Sequence, residues 1–192
     1  MDFFFVRDSR RRLRFLSSGP RELMPEGSSW SRRAWEKAKR KITGLDPRTL
    51  LQELAFEHAA RTRGESIQVH VAALDDESKL RTRFNFFLRR EKSRHVLLLA
   101  LESLAVPVTG LAALLPGPNV IFYFLAVLMI IQWQALRGIN RLLNDSVPFA
   151  VDPLLEEWEA AVAAGETERF PLILEKFERD RAVPGARKAL WK

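Results

Sequence analysis

The sequence has no cysteine among its 192 residues, which excludes disulfides, thiolate nucleophiles and cysteine-ligated zinc. It also lacks a GxSxG elbow, a phosphate-binding P-loop, a GxGxxG run opening a helix and an HExxH pair, so no hydrolase, nucleotide-binding or zinc-protease signature is present. The three histidines, His58, His70 and His95, are scattered without metal-ligand spacing. Each is expected at the surface or an interface, with no metal and no cofactor. An enzyme is not expected. A secretory leader is not expected either, because Phe3–Val6 is too short for an apolar h-region and the arginines follow it. The run RDSRRRLRFLSS has the Arg and Ser content of a mitochondrial transit peptide, although Asp2 and Asp8 count against that reading. Internal repeats and low-complexity tracts are absent.

Basic charge is abundant: the formal net charge is +7 and the sequence pI about 10.2. Its distribution matters more than its size. Lys and Arg crowd into RDSRRRLRF, SRRAWEKAKRK and RTRFNFFLRREKSR, all before the apolar region, whereas the segment after Leu143 is richer in Asp and Glu. Basic residues converging on an apolar segment are what a cytoplasmic or matrix membrane face carries. They are expected to attract anionic lipid headgroups at about 1 kcal/mol per well-placed cation. Nucleic acid is the weaker use of the same charges and is not an expected partner.

Two apolar stretches flank the sequence LLPGPNVIFYF. From Val96 to Leu115 there are twenty residues with one charged member, Glu102, which matches the roughly 20 residues needed to cross a bilayer core. After Pro116, Gly117, Pro118 and Asn119, Val120 to Trp133 is apolar except for Gln132. Arg89, Arg90, Lys92 and Arg94 precede the pair, and Arg137 and Arg141 follow it. Both flanks are therefore placed on one side, with an uncharged turn at the tip. A buried hairpin in a soluble core is the bland alternative. Pro107, Gly110 and Glu102 favour it, but the rest of the chain is too polar to surround so many apolar positions.

Elsewhere the pattern predicts mainly helix with a small two-stranded β element. Phe3–Val6 can pair with the alternating ESIQVHVAAL, on which Ile67, Val69 and Val71 share a face. Trp30, Ala34, Ala38 and Ile42 recur at helical spacing, and a second helix runs between Asp46 and Gly64. A basic helix from Asp75 leads into the apolar block. Two short helices, PLLEEWEAAVAAG capped by Asp152 and ERFPLILEKFERD started by Thr167, precede a loose end, AVPGARKALWK. The expected organisation is an N-terminal strand and linker (1–29), a basic helical domain with one strand (30–94), a transmembrane hairpin (95–143) and a polar helical tail (144–192).

Glu102 is the most informative charge. Inside hydrocarbon it would be costly, and such residues usually handle protons or cations. The structural alternative is that it reaches back to Arg94 or His95.

The run PVTGLAALLPGPNVIFYFLAVLMIIQWQALRGINRLL resembles the signature region of the mitochondrial potassium–proton exchange-related proteins. Pro107 and Thr109 precede a turn ending in Pro118 and Asn119. The aromatic pair Phe122 and Tyr123 follows, then Trp133 with Ala135, Leu136 and Gly138. The likeness extends over roughly residues 30–143. It departs from the family pattern at Leu128 and Gln132, where an Arg and a His are usual. The resemblance implies an inner-membrane protein, bacterial or mitochondrial, linked to potassium/proton exchange as exchanger component or accessory. Glu102 would trade a proton for a cation, with Thr109 and Asn119 as oxygen ligands. A two-helix hairpin cannot enclose an ion path alone, so a homo-oligomer or a larger membrane partner is expected. The reading of a different class is a membrane-anchored scaffold without transport activity.

Overall fold

The structure, a computed structural model, describes residues 2–18, 47–61, 67–73, 77–112, 120–145 and 147–191. The predicted helix around Trp30–Ile42, the Asp46 cap, Gly64 and the turn at Pro116–Asn119 lie outside the described residues. The elements are β1 (Phe3–Arg7), β2 (Leu13–Ser17), α1 (Pro47–Arg61), β3 (Val69–Val71), α2 (Glu77–Ala112), α3 (Val120–Asn144), β4 (Phe149–Val151), α4 (Pro153–Ala164), α5 (Phe170–Asp180) and α6 (Ala186–Leu190). They divide into two compact units. One holds the described residues up to Ala55, those of 66–75 and those from Val147 onward; the other holds those of 56–65 and 76–146.

The first unit is built on a four-stranded sheet in the order β2-β1-β3-β4, which corrects the expected two-stranded element. The anticipated pairing of Phe3–Val6 with the Val69 strand is present and parallel, Phe3 facing Val69 and Phe5 facing Val71. The sheet is larger because β2 folds back antiparallel on β1 and β4 adds parallel to β3. Phe3, Phe4, Phe5 and Val6 are all buried, as befits an apolar run covered on both faces.

The β1–β2 turn is organised by Asp8. Its Oδ1 accepts from the Arg10 and Arg12 N–H groups, and its Oδ2 accepts from Arg14 Nε at 3.0 Å. Burial pushes the Asp8 carboxyl upward, but the hydrogen bonds from Arg12, Arg14 and Arg10 and the Arg14 charge together hold it below the usual carboxylate range. A depressed folded-state pKa stabilises the fold above the unfolded value, about 3.9, and this contribution is lost as pH falls through the folded value. Asp8→Asn is therefore expected to lower the urea midpoint at neutral pH. The difference from wild type should shrink on acidification below about pH 4; a difference constant across that window would contradict it.

Asp152 caps α4, accepting from the Leu154 N–H at 2.9 Å, and pairs with Arg181 at 2.7 Å. Gly165 ends α4 with φ 74°, a left-handed conformation that glycine adopts without strain. Buried Trp158 donates its indole N–H to the Arg7 carbonyl at 2.7 Å and packs on Phe170. Thr167 does not cap α5; its carbonyl accepts from Phe170 N, and the helix starts at Phe170. The segment expected to be a loose end instead forms α6. Ala186, Ala189 and Leu190 are buried in the same core as Trp158, and Ser9 N–H bonds the Leu190 carbonyl.

In the second unit α2 runs 36 residues, about 54 Å, and pairs with the 25-residue α3. Among the described residues one helix is long and apolar enough to cross a membrane, Phe122–Asn144, with mean hydropathy 1.4. The expected pair of membrane helices is thus met by composition in α3 alone. The described apolar part of α2 ends at Ala112 and contains Glu102 and Pro107, which dilute it. Gly138 is where α1 meets α3: a Cβ there would lie 1.8 Å from the Phe56 carbonyl oxygen. Arg141 Nη1 also donates to the Ala59 carbonyl at 3.1 Å.

Candidate functional site

Along α2, Leu88, His95 and Glu102 recur at intervals of seven residues, so they line one helix face. Leu88 is fully buried, His95 is 1 % exposed and Glu102 is half-buried. On α3 the buried stripe is Ile131, Ala135, Ile139 and Leu142, with half-buried Gln132 beside it. These two faces meet. Gln132 Oε1 lies 2.5 Å from His95 Nδ1, and the same amide is hydrogen-bonded to Glu102. With the carbonyl end on the imidazole, Nδ1 carries the proton and the amide N–H end serves the carboxylate. Phe56 meets the His95 ring edge-on at a centroid distance of 6.3 Å. Glu102 Oε2 is buried and has no hydrogen-bond partner among the described residues.

At this polar file the helix pair changes character. Nearer the basic flank, Phe84, Phe87 and Leu88 are buried and Phe86 is exposed. Beyond it, apolar side chains face outward: Leu97 (61 % exposed), Leu101 and Leu104 (73 %) form one stripe on α2, and Tyr123, Ile130 and Trp133 form another on α3. From Val96 to Ala112 this portion of α2 is about 25 Å long, close to the ~30 Å thickness of a bilayer core.

The sequence-derived site residues fare differently. Glu102 sits in the file, with Gln132 as hydrogen-bond partner and His95 as an electrostatic neighbour. Thr109 falls within α2, but its side chain is outside the description, and Asn119, Pro116, Gly117 and Pro118 lie outside the described residues. Glu102, Thr109 and Asn119 are therefore not seen assembled. Pro107 is exposed inside α2, Phe122, Tyr123 and Trp133 are exposed on α3, and Gly138 is buried against Phe56. His95 and Gln132 were not anticipated as site residues. His95, expected at the surface or an interface, is buried against α3, because the seven-residue spacing from Leu88 turns it that way; that spacing was the available signal.

His70 is half-buried, stacked on Phe4 at 5.1 Å and 3.9 Å from both Asp2 and Asp152. Among the described residues no group of three His, Cys, Asp or Glu side chains could hold a metal ion. A cavity of about 300 Å³ in the first unit is lined by Arg14, Ser17, Thr49, Gln52, Val183 and Ala189 among others. It contains none of the sequence-derived site residues.

Comparison with known families gives a match over residues 24–144, more than half of the chain, to a family model described as mitochondrial K+-H+ exchange-related. Comparison with curated proteins and with solved structures gives no match. The matched span contains all of α1, α2 and α3 and hence His95, Glu102 and Gln132.

Proposed function

Because the chain belongs to the mitochondrial K+-H+ exchange-related family, we propose that it is an integral membrane hairpin protein serving potassium/proton exchange, as an exchanger component or an accessory. The observation that carries this reading is the outward apolar surface of α2 and α3 beyond His95. Among the described residues these exposed leucines, isoleucine and aromatics on both helices have no covering surface, whereas a lipid phase covers them without cost. Trp133 stands at the inner end of this zone, where an interfacial aromatic belt would hold it. Arg89, Arg90, Lys92 and Arg94 lie just before it and Arg137 just after, facing anionic headgroups at one membrane surface.

In this reading Glu102 exchanges a proton for a cation, and Thr109 and Asn119 offer further oxygens. The site is completed by a second copy or a larger membrane protein, since one hairpin cannot wall a path. The protein resides in an inner membrane and catalyses no covalent chemistry. Reconstitution into liposomes tests it. A potassium gradient is expected to drive proton movement, and Glu102→Gln is expected to remove most of it. No potassium-dependent flux from the chain, alone or with its co-purifying membrane partners, together with wild-type behaviour of Glu102→Gln in cells, would leave only the anchored scaffold.

A further inference from the structure

Resting on the exchange reading, we propose that His95, Gln132 and Glu102 form one interhelical site that holds a single positive charge at a time, either a proton or a monovalent cation. The geometry makes the three residues one unit. The Gln132 amide bridges the imidazole and the carboxylate, so its dipole is fixed with the donor end toward Glu102. His95 acts as a positioning residue by holding the amide oxygen. With the imidazole neutral and the carboxylate ionised, the unit carries one negative charge. The bridging amide satisfies Glu102 only in part, and among the described residues the buried Oε2 has no hydrogen-bond partner.

An uncompensated charge in an apolar helix pair costs several kcal/mol. One positive charge removes that cost; two would leave the unit positive and restore it. The charge can arrive in two forms. A proton bonds to Oε2 and makes the carboxyl neutral. Alternatively the O–H bond breaks, the proton leaves to water and a cation takes its place against the carboxylate. Charge balances in either direction, so uptake of one cation releases one proton. Pro107 has no N–H, so the Ser103 carbonyl, one residue along from Glu102, loses its helical donor.

Other titratable groups on the packed helices are accounted for. Glu91 pairs with Arg94 at 3.3 Å about one turn before His95. On α1, Glu57 pairs with Arg61, His58 is half-buried and Glu53 is buried. No other charged residue lies between Val96 and Ala112 on α2 or between Val120 and Leu136 on α3.

The test uses the purified full chain in detergent, weakly buffered, with a pH-sensitive dye. Potassium chloride is expected to release protons approaching one per chain, and choline chloride none. Glu102→Gln should release none, with helicity checked by circular dichroism. Gln132→Leu should need about tenfold more potassium, the expected loss for a hydrogen bond to a charged group. Glu102→Asp keeps the charge with a shorter reach; it should keep the release at a higher potassium midpoint, which covers the case in which Glu102→Gln fails to fold. Release no greater than with choline, or equal release from Glu102→Gln, overturns the proposal. The liposome flux is a separate readout: flux without potassium-linked release from this site would sink the site and leave the exchange reading standing.

Discussion

Gly138→Ala is expected to destabilise the second unit by about 3 kcal/mol or more, even though helix propensity alone would reward the change. An alanine in place of glycine inside a helix stabilises by about 1 kcal/mol where nothing opposes it. Here the added methyl would stand 1.8 Å from the Phe56 carbonyl oxygen and 2.6 Å from its carbonyl carbon. The obstruction is backbone, so no rotamer change relieves it. The two helices would have to separate by more than about 1 Å, and overpacking of this kind typically costs 1–3 kcal/mol and sometimes more. Separation would also stretch the Arg141 bond to the Ala59 carbonyl and loosen the Phe56 edge against His95. Thermal unfolding in detergent is expected to shift down by roughly 6–12 °C. Asn140→Ala, on an exposed position of the same helix, should leave the midpoint unchanged or raise it slightly. A Gly138→Ala protein as stable as wild type would mean that α1 and α3 do not approach as closely as described.

The Gly138 contact also marks the boundary of what the sequence could reveal. Glycine 138 was visible as part of a family motif, but the partner that requires it, Phe56, is 82 residues away and was legible only as one apolar residue of α1. Local patterns read well where local physics decides. The Asp152-Pro153 start of α4 and the long apolar α3 follow from capping and composition. The strands β2 and β4 did not, because LRFLS and FAV become strands only by bonding to β1 and β3. Parallel partners carry no turn signal between them. Helix α6 is five residues long, too short to announce itself; burial of Ala186, Ala189 and Leu190 makes it. In the polar file, Glu102 was conspicuous as a charge in an apolar run. Gln132 and His95 were not, since each is unremarkable alone and gains meaning only when α2 and α3 are set face to face.

Leu101→Lys combined with Leu104→Lys is expected to empty the membrane fraction, and it separates lipid from solvent as the medium around α2. Both leucines are exposed, Leu104 among the most exposed apolar side chains in the structure. If water surrounds them, lysines there are neutral or helpful; surface substitutions away from special features usually change stability by within about 0.5 kcal/mol. If hydrocarbon surrounds them, the outcome reverses. Leu104 lies eight residues past Val96, about 12 Å along the helix, near the middle of a core about 30 Å thick. Each lysine near that depth costs about 2.5–3.5 kcal/mol on insertion scales, so the pair opposes insertion by about 5–7 kcal/mol before snorkelling relieves part of it. The carbonate-resistant fraction should fall from nearly all of the protein to a small remainder. The matching control is Leu172→Lys on α5, an equally exposed leucine in the first unit, which should fractionate as wild type. Two lysines that leave the chain in the membrane pellet, or a wild-type chain that carbonate itself releases, would remove lipid from the account. The outward stripe of Leu97, Leu101 and Leu104 would then have to be the seat of another protein surface.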